Sequence, residues 1–262
     1  MKLRLVYFFL GFLAWIPLSA GVIVLEGHYQ GKNLYVQNPF AGSGVGFCTF
    51  EVTINGNVTT DETNSSAFEI DFTNAQIKMG EPVIVKIKHK DDCKPKVLNP
   101  EVLKPKSTFI AKSVALDKEG NFTWSTTGES GILTYVVEQY RWNKWVKVGE
   151  VEGNGSGSEH SYKFSISPHS GENKVRVKQV DYTGSPRYSK SATSISTSPE
   201  VTFSPLKVKD EILFTGETLY EVYDVYGNIV KRGYDSKIDA TNLKKGSYYL
   251  SYDNKTDKFS KK

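Results

Sequence analysis

Histidine and cysteine, on which most metal and nucleophile chemistry depends, are scarce here: four and two in 262 residues. Beyond residue 20 no apolar run is long enough to span a bilayer as a helix. No later stretch carries the three-to-four-residue apolar spacing of a long amphipathic helix. A surplus of one charge is missing too. Lys2 and Arg4 sit in the N-terminal segment, and the rest of the chain holds 31 basic and 29 acidic residues, a balance of +2. Such a balance leaves no electrostatic footprint for nucleic acid, and none is expected as a partner.

What is present begins with a leader. Lys2 and Arg4 precede an apolar run from Leu5 to Ile16, and Pro17, Leu18, Ser19 and Ala20 end it in small residues. These are the regions of a secretory signal peptide over residues 1–20, with cleavage expected after Ala20. Gly21 stands where a lipoprotein would have cysteine. A retained N-terminal anchor is the alternative reading. Export to an oxidising compartment makes a disulfide between Cys48 and Cys93 the expectation, with a reactive thiol pair as the alternative. The expected location is periplasmic or outer-membrane associated, peripheral to that membrane, or alternatively cell-surface or extracellular.

The chain as a whole is rich in aromatics, with 15 Tyr, 14 Phe and 4 Trp. Short apolar alternations are broken by Gly, Asn, Asp and Pro, the pattern of β-sandwiches. Pro/Lys-rich and Ser/Thr/Pro-rich seams divide it. The fold class expected is all-β, with three consecutive small antiparallel β-sandwich modules over residues 21–105, 106–198 and 199–262. In the first module Val83, Val85 and Ile87 alternate with Ile84, Lys86 and Lys88. Phe50, Val52 and Ile54 alternate with Glu51 and Thr53, ending in an Asn55-Gly56 hairpin turn. Phe68, Ile70 and Phe72 form a third such set.

The middle module contains FTWSTTGESGILTYVVEQY, then WVKVGEVEGNGSGSEHSYKF and GENKVRVKQVDYTGSPRYS. In this order the strings resemble a fibronectin type III-like domain found in exported proteins of bacteria with type IX secretion. The resemblance implies that Trp124 is the core tryptophan of the sandwich. In the last module LYEVYDVYGNIVKRG, IDATNLKKGSYYLSY and DKFSKK resemble the C-terminal sorting domain of type IX secretion. Gly227 would be its turn glycine, and Leu243, Gly246 and Tyr248 its Leu-x-x-Gly-x-Tyr motif. Phe203-Ser204-Pro205-Leu206 stands where that family has Tyr-Pro-Asn-Pro, and the last hairpin reads as short. In that family the domain is what the secretion machinery reads. Its implied partner-binding residues are Tyr220, Tyr223, Gly227, Leu243, Gly246, Tyr248, Lys261 and Lys262.

No catalytic centre and no metal or other cofactor is expected. His28, His89, His160 and His169 lack metal-ligand spacing, and the one cluster, His89 with Asp91, Asp92 and Cys93, loses its thiol to the bridge. Gly42 to Gly46 and Gly153 to Ser158 read as loops, not as phosphate cradles or nucleophile elbows. Lys86, Lys88 and Lys90 form a candidate docking patch, or a face that discourages edge-to-edge pairing. Tyr140, Trp142 and Trp145 crowd one hairpin and are candidates for stacking on a sugar ring or a partner protein. The absence of a large passenger domain and the altered opening of the last module point to a non-catalytic accessory subunit of the outer-membrane translocon, plug-like in action. The alternative is a secreted or surface client that binds glycan or acts as an adhesin. A hydrolase built on the first module is a third reading.

Overall fold

The computed structural model describes residues 20–262, and the signal peptide expected over residues 1–20 lies, apart from Ala20, outside them. Among the described residues the chain is all-β, with two short 3-10 turns at Thr73–Ala75 and Pro100–Leu103. It divides into two compact units. The first takes the described residues up to Glu26, with Asn33–Gln76 and Val83–Pro100. The second takes Gly27–Lys32, Ile77–Pro82 and Glu101–Lys262.

The first unit is built on two sheets. One runs in the order Ala20–His28, Pro82–Lys90, Thr49–Ile54, Asn57–Val58, and the other Ala67–Ile70, Leu34–Gln37, Lys96–Val97. Val83, Val85 and Ile87 are buried while Ile84 and Lys86 face out, so the period-two pattern sets the face of this strand. Phe68, Ile70 and Phe72 are buried as their spacing implies. Asn55 and Gly56 both have positive φ, the geometry that an Asn-Gly turn supplies at low cost. Phe50 departs from expectation. A register shift between Thr49 and Glu51 turns its ring outward, 49% exposed, while Val52 and Ile54 stay buried. Cys48 and Cys93 form the disulfide, 45 residues apart in sequence.

The second unit holds two further sets of sheets. Residues 110–196 form a three-stranded sheet, His160–Ser165, Asn121–Thr127, Ile110–Leu116, and a five-stranded one. The latter runs Lys144–Glu152, Thr134–Arg141, Gly171–Val180, Pro186–Tyr188, with Ala192–Ser196 also on Gly171–Val180. Taking the last two strands as one, the chain order is first-second-fifth in one sheet and fourth-third-sixth-seventh in the other. That is the Greek-key sandwich of a fibronectin type III-like module. Trp124 is buried in its core with Phe109, Phe122, Tyr135, Val137, Val175 and Val177. Beside this core sits a buried carboxylate. Glu129 accepts hydrogen bonds from Thr126 Oγ1 (2.5 Å), Tyr162 OH (2.7 Å), Tyr135 OH (2.9 Å) and Gly155 N (2.7 Å). Burial pushes its carboxyl pKa up, but these donors outweigh that and hold it below the ordinary value. The same contact raises the Tyr162 hydroxyl to about 12, burial being the larger cause. The loops fixed in this way receive Gly80 (φ +85), where a Cβ would lie 2.6 Å from the Gly155 carbonyl oxygen. Only glycine meets both demands.

Residues 203–261 form a six-stranded sheet centred on the long strand Glu211–Tyr223. A register shift between Leu213 and Thr218 lets its first part pair with Phe203–Ser204 and its last part with Gly246–Tyr252, while Ile229–Asp239 follows both parts. The final hairpin is complete, with seven pairs from Gly246↔Lys261 to Tyr252↔Lys255. Lys207–Val208 then pairs in parallel with Ser260 and Lys261, the one parallel contact in this sheet. Val208, Ile212, Val222, Ile238, Leu250 and Phe259 fill the interior.

What joins the fibronectin-like module to the C-terminal one is polar. Along Thr134–Arg141 the inward column runs Tyr135, Val137, Gln139, Arg141, so it changes from apolar to charged as it leaves the core. Arg141 donates from Nε to Gln139 Oε1 (2.7 Å), from Nη2 to the Ser167 carbonyl (2.5 Å) and from Nη1 to the Asp253 carbonyl (3.3 Å). Burial pushes its pKa down to about 10, so it stays charged at neutral pH. Asp253 lies in the tight turn of the last hairpin with φ +45. Its carboxylate accepts from Ser170 N (2.8 Å), Ser170 Oγ (2.5 Å) and Val201 N (3.3 Å), and its own N–H donates to Thr218 Oγ1 (3.0 Å). Lys144 Nζ adds a bond to Glu221 (2.5 Å) and one to Tyr223 OH (2.6 Å).

Three measurements follow from this packing. Reducing the disulfide, or replacing Cys93 by serine, should cost the first unit about 4 kcal/mol by the chain-entropy estimate for a loop of this size. Differential scanning calorimetry should show one transition moving and the other unmoved. Asp253→Ala strips the acceptor from Ser170 and Val201, and should destabilise the second unit by about 3 kcal/mol in urea denaturation. His169 is buried beside this junction, and burial lowers its pKa from 6.5. Below that pH the unfolded chain binds a proton that the folded chain refuses. Stability is therefore full above about pH 6.5 and falls as the pH drops through it. A melting-temperature series from pH 8 to pH 5 should show the decline, and His169→Asn should flatten it.

Candidate functional site: an aromatic groove and the C-terminal sheet

The hairpin Thr134–Arg141 to Lys144–Glu152 turns through Trp142 and Asn143, both with positive φ (54° and 61°). This is the two-residue turn that Asn-Gly ordinarily fills. A tryptophan in that conformation is a steric outlier held by its surroundings. Trp142 Nε1 donates to the Tyr252 carbonyl at 3.3 Å, which pins the indole against the turn of the last hairpin. The Lys144 ammonium lies 5.7 Å from the centre of its ring.

Between these two hairpin turns runs a groove of about 560 Å³ lined by Tyr140, Trp142, Asn143, Glu172, Lys174, Asn254, Lys255 and Thr256. Tyr140 is 38% exposed and meets Trp145 edge-on at 5.3 Å. Trp145 is less accessible than its sequence position implies. The Arg176 guanidinium lies 4.0 Å from its ring centre and 4.0 Å from that of Tyr188, so the cation is layered between two aromatics. Arg176 and Lys178 both pair with Glu138, at 2.9 Å and 2.7 Å. Trp145 therefore belongs to a closed ladder on the sheet face, whereas Tyr140 and Trp142 open onto the groove.

The basic patch of the first unit is partly neutralised. Lys88 pairs with Glu51 at 2.7 Å, and Lys90 donates to the Val45 carbonyl at 2.6 Å. Lys86 faces out beside Ile84. In the C-terminal sheet the motif residues separate by role. Tyr248 is buried, stacked on Phe259 at 5.4 Å, with its hydroxyl on the Lys244 carbonyl (2.9 Å). Leu243 and Tyr220 pack against the same core. Tyr223 is held at the module junction by Lys144. Alternation thus turns Tyr248 inward, while Tyr220, Tyr223 and Leu243 stay half-buried. Gly227 (φ +84) closes the turn after Asp224, and Gly246 opens the strand Gly246–Tyr252. Lys261 donates to the Lys209 carbonyl (2.6 Å), and the Lys262 side is exposed. The outward aromatic residues of this sheet are Tyr226, 87% exposed, Tyr234 and Tyr249.

One polar pair escaped the sequence reading. Ser156 Oγ lies 2.6 Å from His160 Nε2, the contact a nucleophile and its base would make. Among the described residues no third group hydrogen-bonds the other imidazole nitrogen, and the pair ties the loop at Ser156 to the start of the strand His160–Ser165. His89 Nδ1 faces the Lys90 carbonyl (2.8 Å), and Asp92 accepts from Ser43 N (2.7 Å). Among the described residues no three His, Cys, Asp or Glu side chains converge as a metal site would require, and none is long and apolar enough as a helix to cross a membrane.

Among solved structures, a tetra-tandem repeat from the extending region of a large adhesion protein is similar at 11% identity and a TM-score of 0.30, over 92% of this chain and 73% of that one. Fibronectin(III)-like modules of Clostridium thermocellum CbhA are similar at 14% and 0.22, over 59% and 93%. The FN1–FN3 domains of chicken CNTN1 are similar at 12% and 0.25, over 92% and 97%. No curated protein matches the sequence. Residues 204–262 match the secretion system C-terminal sorting domain. The chain thus carries a type IX sorting domain at its C-terminal end, behind a fibronectin type III-like module.

Proposed function

We propose that this protein is a cargo of type IX secretion that acts outside the outer membrane by binding, not by catalysis. The match over residues 204–262 carries this reading. The altered opening, which favours an accessory translocon subunit when read as sequence, weighs less against the geometry. Phe203–Ser204 still forms the opening strand on Phe214 and Leu213, and the last hairpin closes with seven pairs. The sorting fold is therefore whole despite the changed residues. Binding surfaces rather than a reactive cleft favour a non-catalytic role: the outward Tyr226 and Tyr249 for the secretion machinery, and the aromatic groove for a ligand after export.

Protease shaving of intact cells, with fractionation, tests the cargo reading. The full-length protein should be digested at the surface or recovered from the medium. Leu250→Asp puts a charge in the interior of the C-terminal sheet, and should trap the protein behind the outer membrane. A protease-protected periplasmic pool of the unaltered protein, with Lys262 intact and co-purifying with the translocon, would overturn the cargo reading in favour of the accessory subunit.

A further inference from the structure

We infer that the groove between the Trp142-Asn143 turn and the Asp253-Asn254 turn is a binding site for a neutral oligosaccharide, shared between the fibronectin-like module and the sorting module. Four observations carry it. Its volume, about 560 Å³, suits a small ligand of several rings. Two aromatic side chains, Tyr140 and Trp142, open onto it. A pyranose ring presents a face of C–H groups that packs on the negative face of an aromatic ring, while its hydroxyls point sideways. The sides of the groove answer those hydroxyls. Hydroxyl groups donate and accept together, and the amides of Asn143 and Asn254 do the same, with Glu172 accepting and Lys174 donating. Among the described residues, the side chains of Asn143, Glu172 and Asn254 have no hydrogen-bond or ion-pair partner within the protein, so their capacity is unspent. Lastly, the strain sits here. Trp142 is kept at φ 54°, Asn143 at φ 61° and Asp253 at φ 45°, three non-glycine residues in the left-handed region on the two facing turns. Backbone strain of this kind gathers at ligand clamps and persists only where neighbours enforce it.

The charge of the lining selects the class of sugar. One carboxylate, Glu172, faces two ammonium groups, and one of those, Lys255, is already paired with Glu200. A strongly acidic chain finds no cationic cradle, and a neutral one desolvates little charge. Because Asn254, Lys255 and Thr256 belong to the final hairpin, the sorting module supplies one wall. It therefore has a role after export as well as during it, and ligand binding requires that it stay seated on the junction.

The test uses the purified full-length protein without its leader, so its outcome is separate from that of the export experiment. Malto-, cello-, laminari- and chito-oligosaccharides, with an acidic alginate oligosaccharide for comparison, are titrated while tryptophan fluorescence and heat are followed. At least one neutral member should bind and alter the fluorescence. Tyr140→Ala on one wall and Asn254→Ala on the other should each weaken it roughly tenfold, with circular dichroism showing both variants folded at the assay temperature. These two variants avoid Trp142, whose loss also loosens the junction. No binding by any neutral member at about 10 mM overturns the inference. So does binding of the acidic oligosaccharide alone, or neutral binding that both variants leave intact.

Discussion

The carboxylate of Asp253 is the point on which the second unit turns. It lies in a two-residue turn, almost wholly buried, and it satisfies backbone donors from the Ser170 loop and from Val201 in the connecting segment. The carbonyl of the same residue accepts from Arg141, itself buried at the end of a column that begins with core tyrosine. A buried charge is costly unless its hydrogen bonds are filled, and the geometry fills them from both modules. Neither module could keep these groups buried alone. An apolar junction would hold two sandwiches together in many orientations, whereas directional bonds to a guanidinium and a carboxylate admit few.

That choice shapes what the surface offers. With the two turns fixed by Asp253 and by the Trp142 indole, the space between them is held open as a groove, and it is lined by residues that neither module brings together alone. The sheet face above it is treated in the opposite way. There Trp145, Arg176, Tyr188 and Glu138 spend their aromatic and charged capacity on one another, so the broad face is closed and the narrow cleft is the part left with unspent polarity.

Much of the fold is legible in the sequence because sheet alternation is a strong signal where one face is buried. Val83, Val85 and Ile87, the Asn55-Gly56 turn and core Trp124 all sit as their spacing implies. Phe50 does not, since a register shift is invisible to a period of two. The site is less legible for a related reason. Tyr140, Trp142 and Trp145 stand together in the chain, and sequence alone cannot tell which ring a distant arginine will cover. Asn254 and Thr256 give no local sign at all, because their meaning comes from a strand pairing and a docking contact more than a hundred residues away from Tyr140. Of the motif residues, Tyr248 is turned inward by alternation, whereas Leu243 sits in the turn before that strand and packs against the same core, a position no period of two announces.

The parallel contact between Lys207–Val208 and Ser260–Lys261 sets a timing rule. The N–H of Lys262 donates to the Val208 carbonyl at 2.9 Å, so the strand Lys207–Val208 gains its ladder only from the far end of the same module. Synthesis is vectorial, so Val208 is made well before the strand Lys255–Lys261 that completes its ladder. A chain broken off before Lys255 leaves Tyr248 and Leu250 without their hairpin partner and Val208 without its ladder. The two ends of the C-terminal module therefore close one another, and no shorter stretch of it can form the same sheet.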